Sequence, residues 1–240
     1  ISPVFDALGT EGSGNVKFLT PAFNFTNGRF TEFAQVLESA LAEKGYSLSD
    51  FAYTAGNAYN TYWGSITDFV NTVKSSPAGN NPIILTETGW YPHETDDRQT
   101  AINNLRLELA SADIEAGLIF NVFGNNDMFD AQALYDGSDS SELQSLCQGK
   151  DCGDQKIGAN SAIYYYNQHI FYDKSSEFKM AYTLEIANAG DVNGSVKNGI
   201  EASSGIPIIR LGVGNDGGGF EEPQALIDFI NTIKGYTSKT

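Results

Sequence analysis

The sequence predicts an α/β fold built on a parallel β-sheet, and three observations support this. Short apolar segments alternate along the chain with amphipathic helical patterns. Several of the apolar segments are continuous rather than alternating, which is typical of strands covered on both faces. The chain has 240 residues, a length that fits one α/β domain of barrel size, so residues 1–240 are predicted to form a single domain.

Six apolar segments are predicted to form the strands. They lie at residues 16–23, 51–55, 82–86, 117–123, 180–187 and 206–213. The segment at 82–86 is Pro-Ile-Ile-Leu-Thr, whose apolar run is typical of a strand buried inside a parallel sheet. We expect the strands to be neighbours in one sheet.

Helical patterns fill the intervals between these strands. Apolar residues at spacings of three and four predict helices at 30–44, 66–74, 97–112, 196–203 and 223–234. Pro223 suits the first turn of the last of these. The segment 127–160 is rich in Gly, Asp and Ser and is predicted to be a long loop with a short helix at 141–146, followed by an aromatic helix at 162–172.

The charge of the chain excludes two classes of partner. The formal net charge is -16, which argues against nucleic acid or an anionic membrane surface, because both attract basic proteins. No apolar run approaches the roughly 20 residues that span a bilayer. The composition is compatible with an extracellular protein and a neutral sugar ligand.

The sequence also contains one pair of cysteines and two sequons. Cys147 and Cys152 are predicted to form a local disulfide in an oxidising compartment, with free thiols or a metal site as alternatives. No cofactor or metal is predicted. Asn24 and Asn193 begin Asn-X-Ser/Thr triplets and are candidate glycosylation sites.

Glu87 is the strongest candidate for chemistry. It follows the apolar strand at 82–86 directly, and Gly89, Trp90 and Tyr91 come next. Functional groups of parallel barrels lie at strand carboxyl ends. A retaining glycosidase needs two carboxyl groups there, one of which attacks the anomeric carbon. Trp90 and Tyr91 could supply a flat face for a sugar ring.

The string Thr-Glu-Thr-Gly-Trp at 86–90 resembles the seventh-strand motif of the large clan of retaining glycoside hydrolases, notably its β-1,3-glucanase-like branches. This resemblance implies a (β/α)8 TIM-barrel-like fold with Glu87 as the nucleophile. The strand order would then be permuted, 5-6-7-8-1-2, with strands three and four not evident. The barrel would be incomplete or would span a repeat junction.

The same resemblance assigns roles to residues on the neighbouring segments. Tyr59 and Asn57 would orient Glu87, and Arg210 would hydrogen-bond it and hold it ionised. The residues implied to face the sugar are Trp63, Trp90, Tyr91 and Phe123, the last standing where the clan often has Trp. The clan's general acid/base lies in an Asn-Glu-Pro string, which this chain lacks, and Glu222-Pro223 does not fit the motif.

Two functions follow as expectations. The first is an extracellular glycoside hydrolase-like barrel that acts on or binds a β-linked polysaccharide, with its acid/base outside these residues. The second is a non-catalytic structural or carbohydrate-binding protein, a filament or tandem-repeat subunit derived from such a barrel, in which self-association or neighbouring repeats complete the sheet. An unrelated α/β protein with a coincidental motif is the third possibility.

Overall fold

A computed structural model confirms the α/β class and the parallel sheet. It describes residues 2–9, 15–24, 29–59, 65–89, 97–120, 122, 140–149, 151–160, 168–187, 194–211 and 222–236. Of Ser2, Asn24, 168–170, 185–187 and Ser195 it describes the backbone alone.

The described sheet has seven parallel strands, which lie side by side in chain order. The strands are β1 (Phe23–Asn24), β2 (Thr54–Asn57), β3 (Ile83–Thr88), β4 (Ala116–Ile119), β5 (Ile157–Asn160), β6 (Tyr182–Ala187) and β7 (Ile206–Leu211). The first is an edge strand of two residues, and the other six have four to six residues each.

Helices connect the strands, and those predicted at 30–44, 66–74, 97–112, 141–146, 196–203 and 223–234 are present, whereas the sequence pattern does not predict the first helix. The helices are α1 (Ser2–Leu8), α2 (Arg29–Ala42), α3 (Ile66–Lys74), α4 (Arg98–Ser111), α5 (Ser141–Leu146), α6 (Gln168–Glu177), α7 (Ser195–Ala202) and α8 (Pro223–Ile233). Side-chain caps set two helix starts, because Ser65 accepts a hydrogen bond from the Asp68 amide and Asp97 accepts one from the Gln99 amide. None of the described helices is long and apolar enough to cross a bilayer.

The prediction of a permuted eight-stranded TIM barrel is wrong. β5 is a strand that the sequence pattern does not predict, and it separates β4 from β6, so the two strands predicted to be consecutive are not neighbours. The described part of the sheet runs from β1 to β7 without a pairing between those two edges. Its six longer strands form a curled half-barrel in chain order rather than a permuted barrel.

β5 escapes prediction for a physical reason. Its sequence, Ile-Gly-Ala-Asn, holds one large apolar residue and follows a polar loop. Small residues are needed here because the sheet is tight: a Cβ at Gly158 would lie 2.7 Å from the Tyr182 carbonyl oxygen. Strand propensity scales favour large and β-branched side chains. A strand made of small residues, which let the neighbouring backbone pack closely, is therefore not recognised from its own sequence.

The curl of the sheet is visible in the distance between alternate strands. β4 and β6 approach within 8 Å at Cα although β5 lies between them, whereas strands two apart in a flat sheet are about 9.6 Å apart. The concave face carries its own apolar cluster, which includes Ile84, Leu118, Leu184 and Ile208. Helices cover the convex face.

The predicted pairing of Cys147 with Cys152 is confirmed. The two residues form a disulfide with their Cα atoms 4.4 Å apart, and both are buried. The bridge joins the end of α5 to the turn that precedes β5. It therefore restrains the loop that leads into the unpredicted strand.

Candidate functional site

The Glu87 carboxylate has a hydrogen-bond donor on each of its oxygens. The Tyr59 hydroxyl donates to Oε1, and the Asn57 side-chain amide donates to Oε2 at 3.4 Å. Glu87 itself is half-buried, near the carboxyl end of β3. Because both oxygens are engaged, the orientation of the carboxylate is restrained.

A β-bulge in β3 decides which way Glu87 points. Along β2, Gly56 pairs with Leu85 and Asn57 pairs with Glu87, so Thr86 has no partner there. Along β4, Leu85 pairs with Gly117 and Thr88 with Ile119, so three steps on β3 match two on β4. β3 therefore contains one extra residue just before Glu87.

The extra residue changes the face on which Glu87 lies. Ile83 and Leu85 pack in the helix-covered core, and Ile84 packs in the concave cluster. Strict alternation would place Glu87 with Leu85, under the helices. Instead Thr88 lies on the helix side. A Cβ built at Gly117 would point toward Leu109 of α4 and would lie 3.2 Å from the Thr88 methyl, so both residues face the helices. Glu87 is thereby turned to the concave face.

Asn57 and Tyr59 reach the same face by regular alternation along β2. A Cβ at Gly56 would overlap the ring of Phe69 on α3, so Gly56 faces the helices. Ala58 packs in the same helix-covered core. Asn57 lies between Gly56 and Ala58, and Tyr59 follows Ala58. Both therefore project to the concave side.

Two side chains hold the bulge itself. The Thr86 hydroxyl lies 2.9 Å from Asn57 Oδ1 and 3.3 Å from the Gly56 carbonyl oxygen, both acceptors. The Asn160 side-chain amide, at the end of β5, donates to the Thr86 carbonyl oxygen at 2.9 Å. The Thr86 contact sets the Asn57 amide with its oxygen toward the hydroxyl and its nitrogen toward Glu87.

Gly89 allows the segment after Glu87 to pack closely. A Cβ at Gly89 would lie 2.7 Å from the Phe120 carbonyl oxygen and 3.4 Å from the Tyr59 ring. The backbone is also tied to both neighbouring strands: the Ala58 amide donates to the Glu87 carbonyl and the Phe120 amide donates to the Thr88 carbonyl. The glycine of the motif thus has a packing role beside the tyrosine.

The remaining site predictions have different outcomes. Arg210 lies on β7 and alternates onto the concave face, since Ile208 packs there and Ile209 packs under the helices. Its side chain is exposed, and within the described residues no hydrogen bond or ion pair joins it to Glu87. Its role stays a prediction. Trp63, Trp90, Tyr91, Phe123 and Asn193 lie outside the described residues, and for Asn24 the structure gives the backbone at the end of β1.

Asn160 is the site residue that the sequence does not reveal. It is 2% exposed and lies on the concave face, because Ile157 and Ala159 of the same strand pack in the helix-covered core. In sequence it stands before a serine, and Asn-Ser dipeptides are ordinary turn formers. Its burial and its hydrogen bond to the Thr86 carbonyl, both of which depend on the folded chain, distinguish it from a turn residue.

A second polar cluster lies at the opposite end of the sheet. Tyr182 is the first residue of β6, and Glu115 immediately precedes β4. The Tyr182 hydroxyl donates to the Glu115 carboxylate at 3.0 Å. Burial, and then the charge of Glu115 and this hydrogen bond, raise the pKa of Tyr182 well above its usual 10.0. Because these groups occupy strand starts, they do not belong to the Glu87 site.

The site is suited to nucleophilic or binding chemistry by a single carboxylate. Within the described residues, the donors to Glu87 are a phenol and an amide, and no group of three or more His, Cys, Asp or Glu is placed to hold a metal ion. No protein-family model matches this chain, and no curated protein matches it.

Proposed function

We propose that this protein is a carbohydrate-active protein of the retaining-glycosidase type, with Glu87 as the nucleophile. The bulge carries the proposal, because it turns Glu87 from the helix side to the concave face. Bulges that re-aim a side chain occur often beside active sites. The carboxyl ends of parallel strands are also the usual place for catalytic groups.

The chemistry follows from the restrained carboxylate. Glu87 attacks the anomeric carbon of a sugar, the bond from that carbon to the leaving oxygen breaks, and a glycosyl ester of Glu87 forms. An acid outside the described residues protonates the leaving oxygen, and water then hydrolyses the ester. Tyr59 and Asn57 hold the carboxylate in position for attack. The proposed substrate is a β-linked polysaccharide, by the resemblance of the 86–90 motif.

The location proposed for this activity is outside the cell. The disulfide between Cys147 and Cys152 fits an oxidising compartment. Glycosylation at Asn24 and Asn193 belongs to the same proposal.

The test uses a 2-deoxy-2-fluoro-β-glucoside with a dinitrophenolate leaving group. This leaving group departs without protonation, so the experiment tests the nucleophile separately from the acid/base. The protein should gain the mass of one fluorosugar, and peptide mapping should place it on Glu87. Glu87→Gln should gain nothing, whereas Glu108→Gln, a control at a half-buried acid on α4, should be labelled like the parent protein. Labelling of Glu87→Gln, or no labelling of the parent protein, would refute the assignment.

One observation favours the second function, a non-catalytic carbohydrate-binding or structural protein. The described groups that donate to Glu87 are a hydroxyl and an amide, whereas retaining chemistry requires a second carboxyl group about 5 Å from the nucleophile. A binding protein would bind β-linked oligosaccharides in calorimetry yet remain unlabelled by the fluorosugar. A subunit of an assembly would in addition sediment as a concentration-dependent oligomer.

A further inference from the structure

We propose that Asn160 is a positioning residue that sets the direction of Glu87 by holding the β3 bulge from two strands away. The inference rests on the proposed role of Glu87. No described hydrogen bond joins Asn160 to the Glu87 carboxylate. Asn160 acts on Glu87 through Thr86 instead.

The contact between Asn160 and Thr86 crosses a strand. Asn160 ends β5 and Thr86 lies in β3, with β4 between them. A side-chain amide can cross this distance because the sheet is curled and both groups lie on its concave side. The bond is 2.9 Å long and Asn160 is 2% exposed, so water does not readily compete for the Thr86 carbonyl.

The residue type at position 160 matches the need of the bulge. Thr86 has no Cα partner on either neighbouring strand, and a bulged residue is left outside the regular ladder. Its buried carbonyl then needs a donor from elsewhere. An amide of Asn supplies N–H groups at this position, whereas a carboxylate of the same shape would present only acceptors.

The bulge transmits this contact to Glu87. Thr86 is held at its carbonyl by Asn160 and at its hydroxyl by Asn57, and Asn57 also donates to Glu87. Loss of the Asn160 bond frees the carbonyl to rotate, which favours the regular alternation of β3 over the bulge. Regular alternation would move Glu87 toward the helix-covered face and away from Asn57.

The experiment compares Asn160→Ala with Asn81→Ala. Asn81 is a matched control because it is also buried and its amide donates to a backbone carbonyl, that of Leu48, at 2.8 Å. Asn160→Leu is the second variant, since it nearly keeps the side-chain shape and removes the donor without placing a titratable group at a buried position. Two measurements are made on each protein: the NMR resonances of the Asn57 side-chain amide, and the rate of fluorosugar labelling at saturating and limiting probe.

We expect both Asn160 variants to shift the Asn57 side-chain resonances in the direction that Glu87→Gln shifts them. The maximal labelling rate should fall by roughly tenfold to a hundredfold, since a misplacement of about 1 Å costs this much. The affinity for the probe should stay within about twofold. The direction of Glu87 affects the transition state of the attack and not the binding of the unreacted probe. Asn81→Ala should change neither quantity, although it should lower stability by a similar amount.

The remaining outcomes separate this proposal from the proposed function. Unchanged Asn57 resonances in the Asn160 variants, or equal shifts in Asn81→Ala, would overturn the positioning role. If the parent protein is not labelled at all, the nucleophile assignment fails, and the Asn57 resonances alone decide whether Asn160 sets the direction of Glu87. If Asn160→Ala does not fold, Asn160→Leu decides both points.

Discussion

The hydroxyl of Tyr59 donates a hydrogen bond to Oε1 of Glu87, and this contact joins the carboxyl ends of two neighbouring parallel strands. Tyr59 is 9% exposed, so the bond is largely shielded from water. Hydrogen bonds to ionised groups are stronger than those between neutral groups. The other described donor, the Asn57 amide, lies 3.4 Å from Oε2, which is long for a hydrogen bond, so we expect Tyr59 to restrain the carboxylate more strongly.

Tyr59→Phe should slow fluorosugar labelling of Glu87 and lower the free energy of unfolding by about 1.5–3 kcal/mol, the usual range for a hydrogen bond to a charged group. The loss follows from leaving Oε1 without its phenol donor. Labelling rates and urea unfolding measure the two effects. The control is Tyr46→Phe, which removes an exposed tyrosine–carboxylate bond to Asp6 of 2.7 Å. If both variants behave alike, the Tyr59 bond has no special effect.

Gly89→Ala should lower the free energy of unfolding by about 1–3 kcal/mol, the range for overpacking a close contact. The new Cβ would lie 2.7 Å from the Phe120 carbonyl oxygen, a backbone atom that cannot rotate away. Labelling of Glu87 should also slow, because relief of the overlap with the Phe120 carbonyl shifts the backbone that follows Glu87. Gly235→Ala is the control, since its nearest atom is at 3.4 Å. Equal stability of the two variants would contradict the packing role of Gly89.

Thr88→Val should raise the free energy of unfolding by about 1 kcal/mol. The Thr88 hydroxyl is buried and, in the part of the chain that the structure describes, meets no hydrogen-bond partner. On folding, this hydroxyl loses its hydrogen bonds to water and gains none from the described part of the protein. Val has the same shape and removes the unpaired polar group. Thr183→Val should do the opposite, because the equally buried Thr183 hydroxyl lies 2.9 Å from the Ser203 hydroxyl. Chemical denaturation of the two variants checks the contrast, and destabilisation by both would contradict it.

Alkaline stability should depend on Tyr182. Its folded-state pKa is raised above 10.0 by burial and by Glu115, so the unfolded chain releases this proton at a lower pH than the folded protein. The resulting stabilisation is complete below about pH 10 and is lost as the pH rises from there toward the folded-state value. Unfolding free energies between pH 8 and about pH 11 should therefore fall more steeply in the parent protein than in Tyr182→Phe. If the two proteins lose stability equally over this pH range, the pKa of Tyr182 is the same in the folded and unfolded states and the prediction is wrong.

The neighbours of Glu87 were predictable because they depend on strand adjacency. Tyr59 and Asn57 follow the predicted strand at 51–55, and Glu87 follows the predicted strand at 82–86. Parallel strands that are consecutive in the chain usually lie side by side with their carboxyl ends together. Arg210 was expected at the same site but stands on β7, with three strands between it and β3. Its predicted contact depended on a closed barrel, which the described sheet does not form.

The sequence by itself determined the alternation of strands and helices, the position of Glu87 at a strand end, and the pairing of two cysteines five positions apart. These features depend on local periodicity and short loops, which a single chain segment encodes. Tertiary structure alone decided the face on which Glu87 lies, the place of β5 between β4 and β6, and the contact of Asn160 with Thr86. Each of these depends on the register between strands, and register is set by packing between residues far apart in the chain.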